Sequence, residues 1–134
     1  MNSKDRLAIV ASLQQQEIEM IDTKGREYTG GAALGNENDT LSNFKLVGER
    51  TGLHPLQAWS VYFLKHIDSI MTYVRDVAEA ERDGRAIREL SEPINGRIVD
   101  ARTYLGLLQC LIDDPQEPRP THSQDDYLLE PIEF

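Results

Sequence analysis

Cysteine is all but missing from this chain: Cys110 is the single one in 134 residues. An intrachain disulfide is therefore impossible, and a reducing compartment is the default expectation. Set among Leu107, Leu108, Leu111 and Ile112, Cys110 reads as core filler. No apolar run is long enough to span a bilayer and no signal-peptide pattern opens the chain. The expected location is cytoplasmic, with no membrane partner. A basic excess is missing too. The formal charge is -9, and it is unevenly spread. From residue 113 onward Asp113, Asp114, Glu117, Asp125, Asp126, Glu130 and Glu133 stand against Arg119 alone, a net of -6, which leaves -3 for the preceding residues. That balance argues against a nucleic-acid polymer, whose backbone needs a basic face. It does not argue against a single nucleotide, which needs only a few local cations. His54, His66 and His122 lack metal-ligand spacing, so a zinc site is not expected. No Gly-x-Ser-x-Gly elbow or Cys/His pairing supports a nucleophile. The run from Gly30 to Asn36 is not followed by Gly-Lys-Ser/Thr, so it is no phosphate loop. Internal repeats and coiled-coil heptads are also absent from the pattern.

What the chain does hold is helical patterning, and the expected fold class is all-α, a bundle of four to five helices. Residues 4–24 carry Leu7, Val10, Leu13, Ile18 and Ile21 near helical spacing, with Ser3 as a cap. Residues 25–38 read as an irregular, Gly-rich stretch, long enough to be functional rather than a simple turn. A short helix fits 40–51, capped by Asp39 and ended by Gly52. Pro55 opens a long helix to about residue 82, whose buried stripe is Leu56, Trp59, Phe63, Ile67, Ile70, Val74 and Val77. At about 1.5 Å per residue it is roughly 40 Å long. Residues 86–90 add a turn of helix. A last helix spans about 93–113, capped by Ser91, with Ile94, Ile98, Ala101, Leu105, Leu108 and Ile112 as its stripe. Residues 1–113 form the folded domain. Residues 114–134, punctuated by Pro115, Pro118, Pro120 and Pro131, form an extended acidic tail whose Tyr127, Leu128, Leu129 and Ile132 can dock on the body or on a neighbour. Val61, Tyr62, Met71 and Tyr73 lie off the main stripe of the long helix. Three short partners cannot cover so much apolar surface, so a homodimer or homotetramer is expected, with the site near a subunit interface.

Polar residues recur where these helices should begin or pack. Lys65 and Asp68 share a face of the long helix, and Arg97 and Asp100 share one on the last. Two surface ion pairs would account for them, but Asp100 falls within the repeat of Ile98, Val99, Ala101 and Tyr104, where an unpaired carboxylate is costly to bury. Buried carboxylates are tolerated when they hold a metal or meet cations. Glu27, Asp39, Asp68, Glu92 and Asp100 are the candidate donors for Mg²⁺, which favours carboxylates and ligand phosphates. Lys24, Lys65 and Arg97 can neutralise phosphates. Tyr28, Phe44, Trp59 or Tyr104 can stack on a base, although ordinary core packing explains an aromatic as well.

The order Lys24-Gly25-x-Glu27-Tyr28, then Asn43-Phe44, then Lys65-His66, then Glu92-Pro93-Ile94-x-Gly96-Arg97-Ile98-x-Asp100-x-x-x-Tyr104-Leu105 resembles a group of small phage and prophage proteins labelled nucleotide-modification-associated. That group is similar in turn to the all-α NTP pyrophosphatases of the MazG and dimeric dUTPase type. The resemblance covers about residues 18–112. It implies a MazG-like bundle, assembly as dimers or tetramers, and Mg²⁺-dependent release of pyrophosphate from nucleoside triphosphates. It also implies a ligand site of Lys24, Glu27, Tyr28, Asn43, Lys65, His66, Arg97, Asp100 and Tyr104. Metal would fall to Asp100, Glu92 and Asp68, and catalysis, if any, to Asp100 and Glu92. This chain departs from the pattern. Asp100 matches the aspartate of the second Glu-x-x-Asp motif, but Arg97 stands where its glutamate is expected. The first Glu-x-x-Glu has no clean counterpart: Glu79-Ala80-Glu81 has the wrong spacing, and Asp22 with Glu27 is a loose substitute. Thr103 replaces an asparagine. A water-activating metal centre needs several spaced carboxylates. Trading one for arginine favours holding phosphates over hydrolysing them. The expected function is nucleotide sequestration, a phage anti-defence sponge for a host signalling nucleotide acting in the host cytoplasm, with Arg102 as a further phosphate clamp. The alternatives are a Mg²⁺-dependent pyrophosphatase and an α-helical interaction protein whose charges are structural.

Overall fold

The computed structural model describes residues 1–28 and 41–114, with only the helical backbone described for 24–28. Four helices and no strand make up the described residues: α1 (Ser3–Tyr28), α2 (Ser42–Thr51), α3 (Pro55–Asp83) and α4 (Ile94–Asp113). The all-α expectation holds. The Gly-rich run over 29–40, Asp39 within it, and the tail beyond Asp114 lie outside the described residues.

Each helix end has a local cause, and several differ from expectation. α1 is capped by Asn2, whose side-chain Oδ1 accepts from the Asp5 amide at 2.8 Å, not by Ser3, which is already helical. α1 also runs on through Gly25 to Tyr28, four residues into the stretch expected to be irregular. One glycine inside a helix costs only about 1 kcal/mol, and neighbouring propensities can outweigh it. The N-cap residue of α2 is Leu41, not Asp39, and it makes no side-chain cap bond. Gly52 ends α2 as expected, at φ 73°, in the left-handed region. Pro55 opens α3, where His54 accepts the Leu56 amide on Nδ1 at 3.1 Å and Gln57 Oε1 accepts the His54 amide at 2.9 Å. Residues 86–90 form no helix. Instead the segment after Gly84 is tied back to α3 by Asp76, which takes Arg85 Nη2 at 2.9 Å and the Arg88 amide at 2.8 Å. α4 begins after Pro93, with no cap bond from Ser91.

α4 lies between two neighbours. Trp59, His66 and Ser69 of α3 meet Tyr104, Asp100 and Arg97 of α4 in reverse order, so these helices are antiparallel. On the other side, Gln16 Oε1 of α1 accepts from Asn95 Nδ2 at 2.8 Å, and the Thr103 hydroxyl approaches Met20 Sδ at 3.7 Å, so α1 and α4 run the same way. α2 packs on α3. The core joins Leu41 and Phe44 to Trp59 and Leu111, with Leu56, Phe63 and Tyr104 packed against them. Trp59 stacks on Phe63 at 4.7 Å.

The apolar stripes are less buried than their spacing suggests. Val74, expected inside, is 52% exposed, and Leu105 and Ile112 of the last stripe are 51% and 44% exposed. α1 meets α4 through Gln16, Glu17 and Met20, leaving Leu7, Val10, Ile18 and Ile21 open. Cys110 is exposed, not core filler. It stands one residue, about 100° of helical turn, from the buried Leu111.

Candidate functional site in the seam between α3 and α4

The seam between α3 and α4 brings four of the expected site residues together. His66 and Tyr104 face each other with ring centroids 4.6 Å apart and planes tilted by 45°. His66 Nδ1 stands 3.9 Å from Asp100 Oδ2, and both side chains are largely sheltered, at 22% and 17% exposure. That distance is too long for a direct hydrogen bond and makes an ion pair only when the imidazole is protonated. One turn along, Arg97 Nη1 donates to the Ser69 carbonyl at 3.4 Å. Asp100, Arg97 and Tyr104 share this side because they are spaced three, four and seven apart on α4.

Tyr104 links the seam to the core. Its carbonyl accepts the Trp59 indole N–H at 2.6 Å. Its ring meets Phe44 of α2 edge-on at 6.2 Å, and Phe44 meets Tyr62 in the same way at 6.3 Å. Asn43, half-buried, precedes Phe44 on α2. The seam thus carries an imidazole, a carboxylate, a guanidinium and several aromatic rings. Such a set can accept and donate hydrogen bonds, present a cation to an anion, and offer a flat face to a ring.

Other expected residues lie elsewhere. Lys65 and Asp68 are exposed on α3, each about 100° round the helix from its successor, His66 or Ser69, which meets α4 through its side chain or its carbonyl respectively. Glu92 is exposed ahead of α4, eight residues before Asp100 and outside the helix. Among the described residues no three His, Cys, Asp or Glu side chains gather as a metal-binding group. The side chains of Lys24, Glu27 and Tyr28 lie outside the described residues. Arg102 points to the opposite side of α4, where its Nε meets Glu17 Oε2 at 3.2 Å. The Ser69 carbonyl, to which Arg97 bonds, is a backbone group and leaves no mark in side-chain patterning. Tyr62, apolar surface off the main stripe in the sequence pattern, extends the aromatic chain through Phe44.

No protein-family model, no curated protein and no solved structure matches this chain.

Proposed function

We propose that this chain is a phage-type nucleotide-binding protein that recognises a phosphorylated nucleotide and sequesters it, as a sponge for a host signalling nucleotide. One observation carries the reading: His66, Asp100, Tyr104 and Arg97 meet along two turns of a sheltered seam. In this reading Arg97 exchanges its 3.4 Å bond to the Ser69 carbonyl for a phosphate oxygen, a charge-assisted and therefore stronger partner. Asp100 and His66 orient sugar or base hydrogen-bonding groups, and Tyr104 with Phe44 supplies the stacking face. Lys24, Glu27, Tyr28 and Asn43 complete the ligand set, with Lys65, exposed about 100° round α3 from His66, as an outlying cation. The working form is a homodimer or homotetramer in the cytoplasm.

The alternative is a Mg²⁺-dependent nucleoside triphosphate pyrophosphatase. The observation that favours it is the sheltered Asp100 carboxylate, at the position of the motif aspartate. Metal would then fall to Asp100 and Glu92, with Glu27 or Asp68. One experiment separates the two. The purified protein is incubated with a panel of nucleoside triphosphates, cyclic dinucleotides and ADP-ribose derivatives, with and without Mg²⁺. The mixture is resolved by chromatography before and after heat denaturation. Intact ligand released only by denaturation is the expected result. New product species establish the pyrophosphatase. No retention and no product, with any member of the panel, overturns both.

A further inference from the structure

Among the described residues α3, α4 and α1 stand side by side with α4 in the middle, and one side of this row is apolar with no further helix packed on it. At about 100° per residue, Leu64, Ile67, Met71 and Val74 lie roughly a quarter-turn round α3 from the line of Trp59, His66 and Ile70 that meets α4. Leu105 and Ile112 lie a similar angle round α4 from the line of Asp100, Tyr104 and Leu111 that meets α3. The two helices are antiparallel, so equal rotations in residue order carry both rows to the same side of the pair. α1 runs with α4, and the same reckoning brings Ile18 and Ile21 to that side. α2 lies on the opposite side, against Phe44's partners Tyr62 and Tyr104. Leu64, Met71, Val74, Leu105, Ile18 and Ile21 are 58%, 56%, 52%, 51%, 61% and 44% exposed.

A helical domain normally buries such stripes beneath a second layer. We propose that the second layer is a second copy of this chain, packed on this face. The area fits. With Leu7, Val10 and Ile112 included, the face is on the order of 700 Å², against about 300–600 Å² for the largest apolar patch of a typical monomer and about 800 Å² per partner in a stable complex. A two-fold axis makes the face its own complement, apolar row against apolar row. The inference specifies the interface within the proposed homo-oligomer and is independent of its ligand. The contact face lies on the side of the helix row opposite α2, whose Phe44 meets Tyr104 of the seam.

Light scattering of the full chain at micromolar concentration tests this. The wild type is expected at twice the 15.2 kDa chain mass or a higher even multiple. Met71→Glu on α3 and Ile18→Glu on α1 are each expected to halve the mass or lower it further, with helical circular dichroism unchanged. These side chains are already more than half exposed, so neither change disturbs the fold of one chain. A monomeric wild type, the outcome if the tail covers the face, overturns the proposal. So does a mass that neither folded variant moves. A monomer that still retains nucleotide through chromatography overturns the interface alone. A dimer that retains none overturns the ligand reading alone.

Discussion

Asp76 shows how one carboxylate organises a segment without regular structure. Its Oδ2 accepts the Arg88 amide, and its Oδ1 holds the Arg85 guanidinium. The Arg88 amide bond does most to hold the Asp76 carboxyl below the usual carboxylate range; partial burial opposes it, and the hydrogen bond and charge of Arg85 and the charge of Arg88 add to it. A lowered native value means that the charged form supports the fold. This contribution is complete above the unfolded value of about 3.9 and is lost as pH falls through the native value. Asp76→Asn is expected to lower Tm at neutral pH. The gap between wild type and variant should stay level down to about pH 5 and close below about pH 4. A gap unchanged down to pH 2 contradicts the assignment. Trp59 does comparable work in the core. Trp59→Phe removes the donor to the Tyr104 carbonyl and is expected to cost about 1 kcal/mol. Trp59→Ala removes the stacked ring as well, at about 3–5 kcal/mol. Urea titration reads both.

At the scale of the element, the constraint is how closely chains approach. Gly48 sits in α2 where the chain turns back through Leu53 toward α3. A Cβ there would stand 2.6 Å from the Leu53 carbonyl oxygen, a backbone atom that cannot swing aside. Gly48→Ala is expected to destabilise by about 1–3 kcal/mol, although alanine is the better helix former. An equally stable variant in urea titration would show that the α2–α3 turn yields. The helix boundaries were legible where the signal is covalent or steric. Pro55 starts α3 because its ring presets φ, and Gly52 ends α2 because it tolerates the left-handed region. Hydroxyl and carboxylate caps misled. Ser3 lost to Asn2, whose side chain reaches the Asp5 amide. Ser91 stands two residues ahead of Pro93, too early to cap α4.

At the scale of the whole molecule, periodicity showed which face of each helix is apolar but not what covers it. Val74, Leu105 and Ile18 keep perfect helical register and stand half exposed or more. α1 docks instead through Glu17 to Arg102 and Gln16 to Asn95, long-range polar pairs with no trace in local patterning. The same limit applies to the site. His66, Asp100 and Tyr104 could be foreseen because each interrupts or extends an apolar repeat that must meet another helix. Lys65 could not be separated from His66, since neighbours in sequence point about 100° apart and only the docking of α4 decides which faces inward. Arg97 and Arg102 looked alike as phosphate clamps, and the positions of α3 and α1 divide them.

The ligand site proposed for the seam has a direct reporter, because the chain holds only three histidines. His54 is engaged as the cap of α3, His66 lies in the seam, and His122 belongs to the tail. Imidazole resonances of the full chain, followed by NMR while nucleotides from the panel are added, should show His66 shifting and saturating with a retained nucleotide while His54 stays in place. With Arg97→Ala the half-saturation concentration should rise at least tenfold, the loss of one charge-assisted phosphate contact at about 1.5–3 kcal/mol. A His66 resonance that stays still while a nucleotide is demonstrably bound would place the ligand elsewhere and contradict the account.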